Sequence, residues 1–295
     1  MIESTMNNFR AKKRFGQNFL VDMKKADALV KALELENGDA VIEVGPGKGI
    51  LTERLAKHEI YLQLVEVDRE LITLLKDRFG DRENIEIIEN DIIKHDPSKF
   101  AKKRVKLIGN LPYNISGAMV EWLIRYHHLI DRAVITVQKE VAERLRAASH
   151  RREYGSLSVI TQAFYNIKKL FSIPPGCFSP RPKVDSTALI LSPELKIPLK
   201  VVKEHILESQ MGREAGAGID PDEFIKFVRA CFAQKRKTLI NSLSSSLNLE
   251  RGELSNTIMS SGYDEDVRAE QFQLRDFVRL WHLIAKSDHE SKRQI

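Results

Sequence analysis

Five short β-rich runs recur through the first two thirds of the chain, each followed by a stretch of helical spacing: AVIEV (40–44), YLQLVEV (61–67), IEIIE (85–89), VKLIG (105–109) and AVITVQ (133–138). Such alternation predicts an α/β domain with helices on both faces of a parallel sheet, because parallel neighbours need a crossover that returns the chain to the same end. Two later runs, SLSVITQAFY (156–165) and STALILS (186–192), also read as strands. Only the proline-bearing SIPPGCFSPRPKV lies between them, so an antiparallel pair at one sheet edge is expected. The sum is a mixed, mostly parallel seven-stranded sheet.

Beyond Pro198 the pattern becomes helical. Asp220, Pro221 and Glu223 form a helix-start signature, and Phe224, Phe227, Val228, Cys231 and Phe232 then lie on one apolar face. Leu274, Phe277, Val278 and Trp281 repeat the pattern. Both stripes predict the core of a small all-helical domain. The expected division is 1–195 for the α/β domain, with 1–14 as a flexible arm, and 196–295 for the helical one, with 287–295 as a frayed tail. MGREAGAGID (211–220) reads as a loop.

A length of 295 residues with 42% apolar content supplies a core for each part. The 47 lysines and arginines exceed the 41 acids, and the resulting net charge of +6 favours a polyanionic partner. Cys177 and Cys231, far apart in sequence, give neither a disulfide framework nor a metal motif, which fits a reducing compartment. The first residues lack the apolar centre of a signal peptide, and no run approaches the roughly 18 apolar residues of a membrane span. A cytoplasmic protein is expected.

VIEVGPGKGI ends the first strand and opens a helix with Gly45, Gly47 and Gly49, residues that permit a tight turn and close approach of a ligand. Glu66 closes the second strand about twenty residues on, where an acid binds both hydroxyls of a ribose. Asp91 follows the third strand, positioned to accept from an adenine amino group. Two acids at the ends of consecutive strands point to one adenosine-like ligand. The GxGxG spacing differs from the GxGxxG that cradles a pyrophosphate, which favours S-adenosylmethionine over a dinucleotide.

The fourth strand delivers NLPY, residues 110–113, to the same rim. An exocyclic amine on a nucleobase is a poor nucleophile because its lone pair is delocalised into the ring. If the Asn110 side-chain oxygen and the Leu111 carbonyl both accept from that amine, they favour a tetrahedral nitrogen whose lone pair faces the methyl donor. Pro112 stiffens the turn and biases Leu111 toward extended backbone. Tyr113 is suited to stack on the base, an interaction worth about 1 to 3 kcal/mol. A catalytic carboxylate is not required, since the methylated aminium loses its proton to water.

With these motifs in hand, FGQNFL (15–20), EVGPGKG (43–49), NLPYNIS (110–116), FSPRPKVDS (178–186) and FAQKRKTLINSL (232–243) closely resemble the bacterial small-subunit ribosomal RNA adenine N6,N6-dimethyltransferases, the kasugamycin-sensitivity enzymes. The resemblance spans about 9–285 and implies a class I, Rossmann-like methyltransferase domain followed by a helical domain. It also implies transfer of two methyls to N6 of each of two adjacent adenosines in the 3′-terminal hairpin loop, during late maturation of the small subunit, by a monomer without metal. By motif position it assigns cofactor contacts to Asn18, Leu20, Gly45, Glu66, Asp91 and Asn110, and the catalytic group to Asn110, Leu111, Pro112 and Tyr113, with Phe178 packing on the target base opposite Tyr113. KRKTLINSL in the second domain favours the small-subunit enzymes over the large-subunit macrolide-resistance relatives.

Expected phosphate contacts are Lys12, Lys13 and Arg14, then Arg144, Arg146, Arg151 and Arg152, then Lys235, Arg236 and Lys237. Contacts to the RNA backbone give salt-dependent affinity and little sequence choice. The N-terminal arm is expected to order over the site when cofactor or RNA binds. Two other readings remain: an assembly factor for which methylation is secondary, and a nicotinamide enzyme, for which the sequence offers no hydride-transfer constellation.

Overall fold

The computed structural model describes residue 12 and residues 16–100, 104–197 and 221–291. The chain packs as two compact units, one from residues within 1–143 and 166–193 and the other from 144–165 with residues within 194–295.

The first unit begins with β1 (Phe19–Leu20) and α1 (Met23–Lys31), followed by β2 (Ala40–Val44), α2 (Thr52–Leu55), β3 (Tyr61–Glu66), α3 (Arg69–Phe79), β4 (Ile85–Glu89), β5 (Val105–Asn110), α4 (Ser116–Arg125) and β6 (Ile130–Gln138). It resumes with β7 (Tyr165–Ile173), β8 (Phe178–Ser179) and β9 (Ser186–Pro193). The large sheet has the order β4-β3-β2-β5-β6-β9-β7. The pairs from β4 through β6 are parallel, and β9 runs against β6. Val41, Ile42, Leu62, Leu64, Leu107, Ile108, Val134 and Ile135 are each at most 1% exposed, as in strands covered on both faces.

The helices start where short polar side chains satisfy free backbone donors. Asp22 accepts from the Lys25 N–H at 3.0 Å to begin α1, and Asp68 accepts from the Glu70 N–H at 3.2 Å to begin α3. From β2 the chain proceeds through β3 and β4 to one edge, then returns to β5 and builds outward the other way. The crevice beyond the carboxyl ends of β2 and β5 lies at this reversal, where open α/β sheets bind ligands.

The second unit takes in the last turn of α5 (Lys139–Arg146), then α6 (Ser156–Phe164), α7 (Pro221–Cys231), α8 (Leu239–Leu247), α9 (Arg251–Ser260) and α10 (Leu274–Ser291). Its core is aromatic. Phe224, Phe227, Phe272 and Phe277 are at most 1% exposed, and the rings of Tyr154 and Phe232 meet edge to face at 6.0 Å. The Tyr154 hydroxyl donates to the Phe272 carbonyl at 2.9 Å, which satisfies the one polar atom that ring takes inside.

Three sequence expectations change here. Residues 156–164 form a helix, and the strand follows at 165–173. Val159, Ile160, Ala163 and Phe164 are all buried, a helical stripe that outweighs the strand preference of the β-branched residues. Next, the division near 195 left 144–165 with the α/β part, whereas this segment packs with the helical unit, Tyr154 and α6 supplying part of its core. Finally, α10 continues through Ser291, into the stretch expected as a frayed tail. Asp220 and 211–219 lie outside the described residues.

Candidate active site

A cavity of about 260 Å³ lies within the first unit, beyond the carboxyl ends of β2, β3, β4 and β5. Each strand contributes in turn: Gly45 and Gly47 after β2, Glu66 and Val67 at the end of β3, Asn90 and Asp91 after β4, and Asn110 through Tyr113 from β5. Gly16, Gln17, Asn18 and Phe19 complete the wall.

The glycine turn is dictated by space and by backbone. Gly45 and Gly47 have φ of +60° and +58°, a region that side chains disfavour. A Cβ on Gly47 would stand 2.8 Å from a ring carbon of Phe19, so only glycine fits. At Gly45 an added Cβ would meet no atom within 4 Å, which is the open face of the cavity.

Glu66 is 6% exposed, and its carboxylate accepts from the backbone N–H groups of Val67 at 2.9 Å, Asp68 at 3.0 Å and Gly47 at 3.3 Å. Burial raises its pKa, while the three donors pull in the opposite direction. Asp91 accepts from the Ile93 N–H at 3.0 Å, so it caps a short 3₁₀ turn and lines the cavity at once. Apolar walls with two fixed acids and an open glycine face fit an adenosine-bearing cation.

Asn110 is held at both ends of its amide. Nδ2 donates to the carbonyl of Asn18 at 2.8 Å, and Oδ1 accepts from the Thr136 hydroxyl at 2.5 Å. The Leu111 N–H donates to the Thr136 carbonyl at 3.2 Å, and the Tyr113 hydroxyl shares a 2.8 Å hydrogen bond with Ser186 Oγ. Asn110 and Tyr113 therefore face the same cavity as Glu66 and Asp91.

Glu43, in the middle of AVIEV, escaped the sequence reading; its signal was an acid in an otherwise apolar buried strand. It is 1% exposed, one oxygen accepts from Thr52 Oγ1 at 2.7 Å, and the other has no hydrogen-bond partner among the described residues. Burial, joined by the nearby Glu66 charge, pushes its pKa up to about 8. A carboxyl whose folded pKa lies above its unfolded value contributes stability that is complete below about pH 4.5 and drains away as pH rises toward 8. Glu43→Gln has no such proton to lose. Melting temperatures taken across pH 5 to about 8.5 are expected to rise for the variant relative to the parent as pH increases, and parallel curves would refute the buried-acid assignment.

Other expected site residues are placed differently. Phe178 pairs with Leu20 between β1 and β8, is 4% exposed and packs in the hydrophobic core, and it is not among the residues lining the cavity. Leu20 lines a smaller recess of about 30 Å³ with Glu43, Lys48 and Leu51, adjoining the cavity through Phe19, Gly45, Gly47 and Asn110. Lys12 forms ion pairs with Asp68 at 2.7 Å and Glu70 at 2.8 Å, which neutralises the charge expected for phosphate. Lys13 and Arg14 lie outside the described residues. Arg144, Arg146, Arg151, Arg152, Lys235, Arg236 and Lys237 are all exposed and all belong to the second unit.

The strand order, the reversed β9 and a cavity lined by Gly45, Gly47, Glu66 and Asp91 are those of a class I methyltransferase that uses S-adenosylmethionine. The profile of the ribosomal RNA adenine dimethylase family matches residues 8–286, and the chain belongs to that family. Among its relatives, the ribosomal RNA small subunit methyltransferase A of Acidobacterium capsulatum is 39% identical over 275 residues, 92% of this chain and 91% of the relative. The protein of the same name from Koribacter versatilis is 37% identical over 295 residues, 95% of this chain and 97% of its own. Among solved structures, a dimethyladenosine transferase from Plasmodium falciparum aligns with a TM-score of 0.71 at 25% identity, covering 91% of this chain and 98% of its own. The 23S rRNA methyltransferase ErmE, at 24% identity, a TM-score of 0.63 and coverage of 91% and 100%, shares the fold.

Proposed function

We propose that this enzyme dimethylates N6 of two adjacent adenosines in the 3′-terminal hairpin loop of small-subunit ribosomal RNA, acting on immature small subunits as a cytoplasmic monomer. The observation that carries the reading is the convergence of Asn110 and Tyr113 with Glu66 and Asp91 on one cavity. The similarity to small-subunit methyltransferases along more than nine tenths of the chain supports the choice of RNA.

When bound, S-adenosylmethionine supplies an electrophilic methyl group. Glu66 would hold the ribose hydroxyls, Asp91 the adenine amino group, and Asn18 with the two cavity glycines the remaining wall. Leu20, through the adjoining recess, completes the set. For the target adenosine, the Asn110 side-chain oxygen and the Leu111 carbonyl accept from N6, Pro112 keeps that carbonyl in place, and Tyr113 stacks on the base. Positioning and preorganised dipoles carry the catalysis. The incoming base must leave its stack, which suits a loop nucleotide.

The RNA backbone is assigned to the second unit. The Tyr154–Phe232 contact packs the segment that follows Arg151 and Arg152 against the one that precedes Lys235, Arg236 and Lys237, and all five basic residues are exposed on that unit. Replacing Lys235, Arg236 and Lys237 together with alanine is expected to lower the salt dependence of RNA binding by roughly 2 to 3 in log–log slope, with kcat at saturating RNA retained. An unchanged slope in a salt titration would remove these residues from the interface.

The decisive assay incubates the protein with labelled cofactor and small subunits lacking the modification, then digests the RNA to nucleosides. Labelled N6,N6-dimethyladenosine is the expected product. Label confined to large-subunit RNA would transfer the assignment to the macrolide-resistance relatives.

A further inference from the structure

We infer that Thr136, on the strand beside the one delivering Asn110, is a positioning residue for methyl transfer that holds the Asn110 carboxamide oxygen in its place on the cavity wall by donating to it. The inference deepens the proposed reading and rests on the catalytic role given there to Asn110.

A carboxamide has nearly the same shape when turned by half a rotation, so its neighbours must decide where oxygen lies. The Asn18 carbonyl has only lone pairs to offer and therefore demands the amino end, met at 2.8 Å. The oxygen is thereby left at the opposite end, where the Thr136 hydroxyl, able to donate or accept, donates to it at 2.5 Å. An sp² oxygen carries two lone pairs. Thr136 occupies one, and the other is left for an N–H of the target amine.

Residue 136 is well placed for this. It is 1% exposed, so water does not compete, and it lies directly opposite Asn110 in the β5–β6 register. Its β-branched side chain is stiff about χ1, which keeps the hydroxyl aimed. Its own carbonyl accepts from the Leu111 N–H at 3.2 Å, so a single residue steadies both the Asn110 side chain and the backbone of the second acceptor. Without the hydroxyl, the amide is anchored at one end only and its oxygen loses a buried donor.

The test measures kcat and KM for methylation of unmodified small subunits, cofactor affinity by equilibrium dialysis, and thermal melting, for Thr136→Val, Thr136→Ala, Thr136→Ser and Asn110→Ala. Both variants without the hydroxyl are expected to lose about tenfold in kcat, the rate equivalent of one hydrogen bond, with KM and cofactor affinity within about twofold of the parent. Thr136→Ser, which keeps the hydroxyl, is expected to recover most of that loss. The inference is overturned if Thr136→Val retains full kcat, if serine falls as far as valine, or if the loss appears in KM, cofactor affinity or melting instead. Collapse of Asn110→Ala beside an intact Thr136→Val would refute this inference alone. An active Asn110→Ala would refute the parent reading.

Discussion

Asn110→Ala is expected to lower kcat for adenine methylation by about a thousandfold while RNA binding persists. The N6 lone pair is conjugated with the purine ring, and the reaction requires it to be localised toward the methyl donor. Of the two acceptors offered to that amine, the side chain is the one a mutation can remove, since the other is the Leu111 main chain. Alanine also deletes the hydrogen bonds to Asn18 and Thr136, at 2.8 and 2.5 Å, so the N-terminal segment and the strand behind it both lose a partner. Single-turnover rates at saturating cofactor and RNA separate loss of chemistry from loss of binding. A variant within about tenfold of the parent would place the acceptor elsewhere.

Glu66→Ala is expected to weaken cofactor affinity by about a hundredfold, from the loss of charge-assisted hydrogen bonds worth about 1.5 to 3 kcal/mol each. The same carboxylate accepts three backbone N–H groups, so alanine also leaves these donors without their acceptor, and a lower melting temperature should accompany the lost affinity. Glu66→Gln separates the two effects: it approximates the shape but replaces one acceptor oxygen with a donor. It should therefore retain more stability than affinity. Equilibrium dialysis with labelled S-adenosylmethionine, beside thermal melts of both variants, reads the two quantities independently. Unchanged dialysis for both would place the ribose away from this acid.

Much of the α/β part was legible because strands buried on both faces are nearly continuous apolar runs, and each run from AVIEV to AVITVQ became a strand of the sheet. The cavity acids were legible for the same reason: the ends of parallel strands share one rim, so spacing along the chain converts to proximity in space. Residues 156–164 misled because Val159, Ile160 and Thr161 favour strands locally, whereas burial of Phe164 and Ala163 on one helical stripe prevailed. Thr136 and Ser186 lay beyond reach of the sequence, since their partners are set by cross-strand register and by a side chain that folds back over the sheet end. Lys12 was read as a phosphate contact because charge pattern reveals a cation without revealing its counter-ion.

The passage of residues 144–165 into the helical unit bears on how that unit is to be obtained in isolation. A fragment beginning at 196 omits Tyr154 and with it the ring against Phe232 and the hydroxyl bonded to the Phe272 carbonyl. Its aromatic interior would open to solvent on that side, inviting self-association. A soluble excised version calls for a circularly rearranged or linked chain that restores 144–165 to its seat.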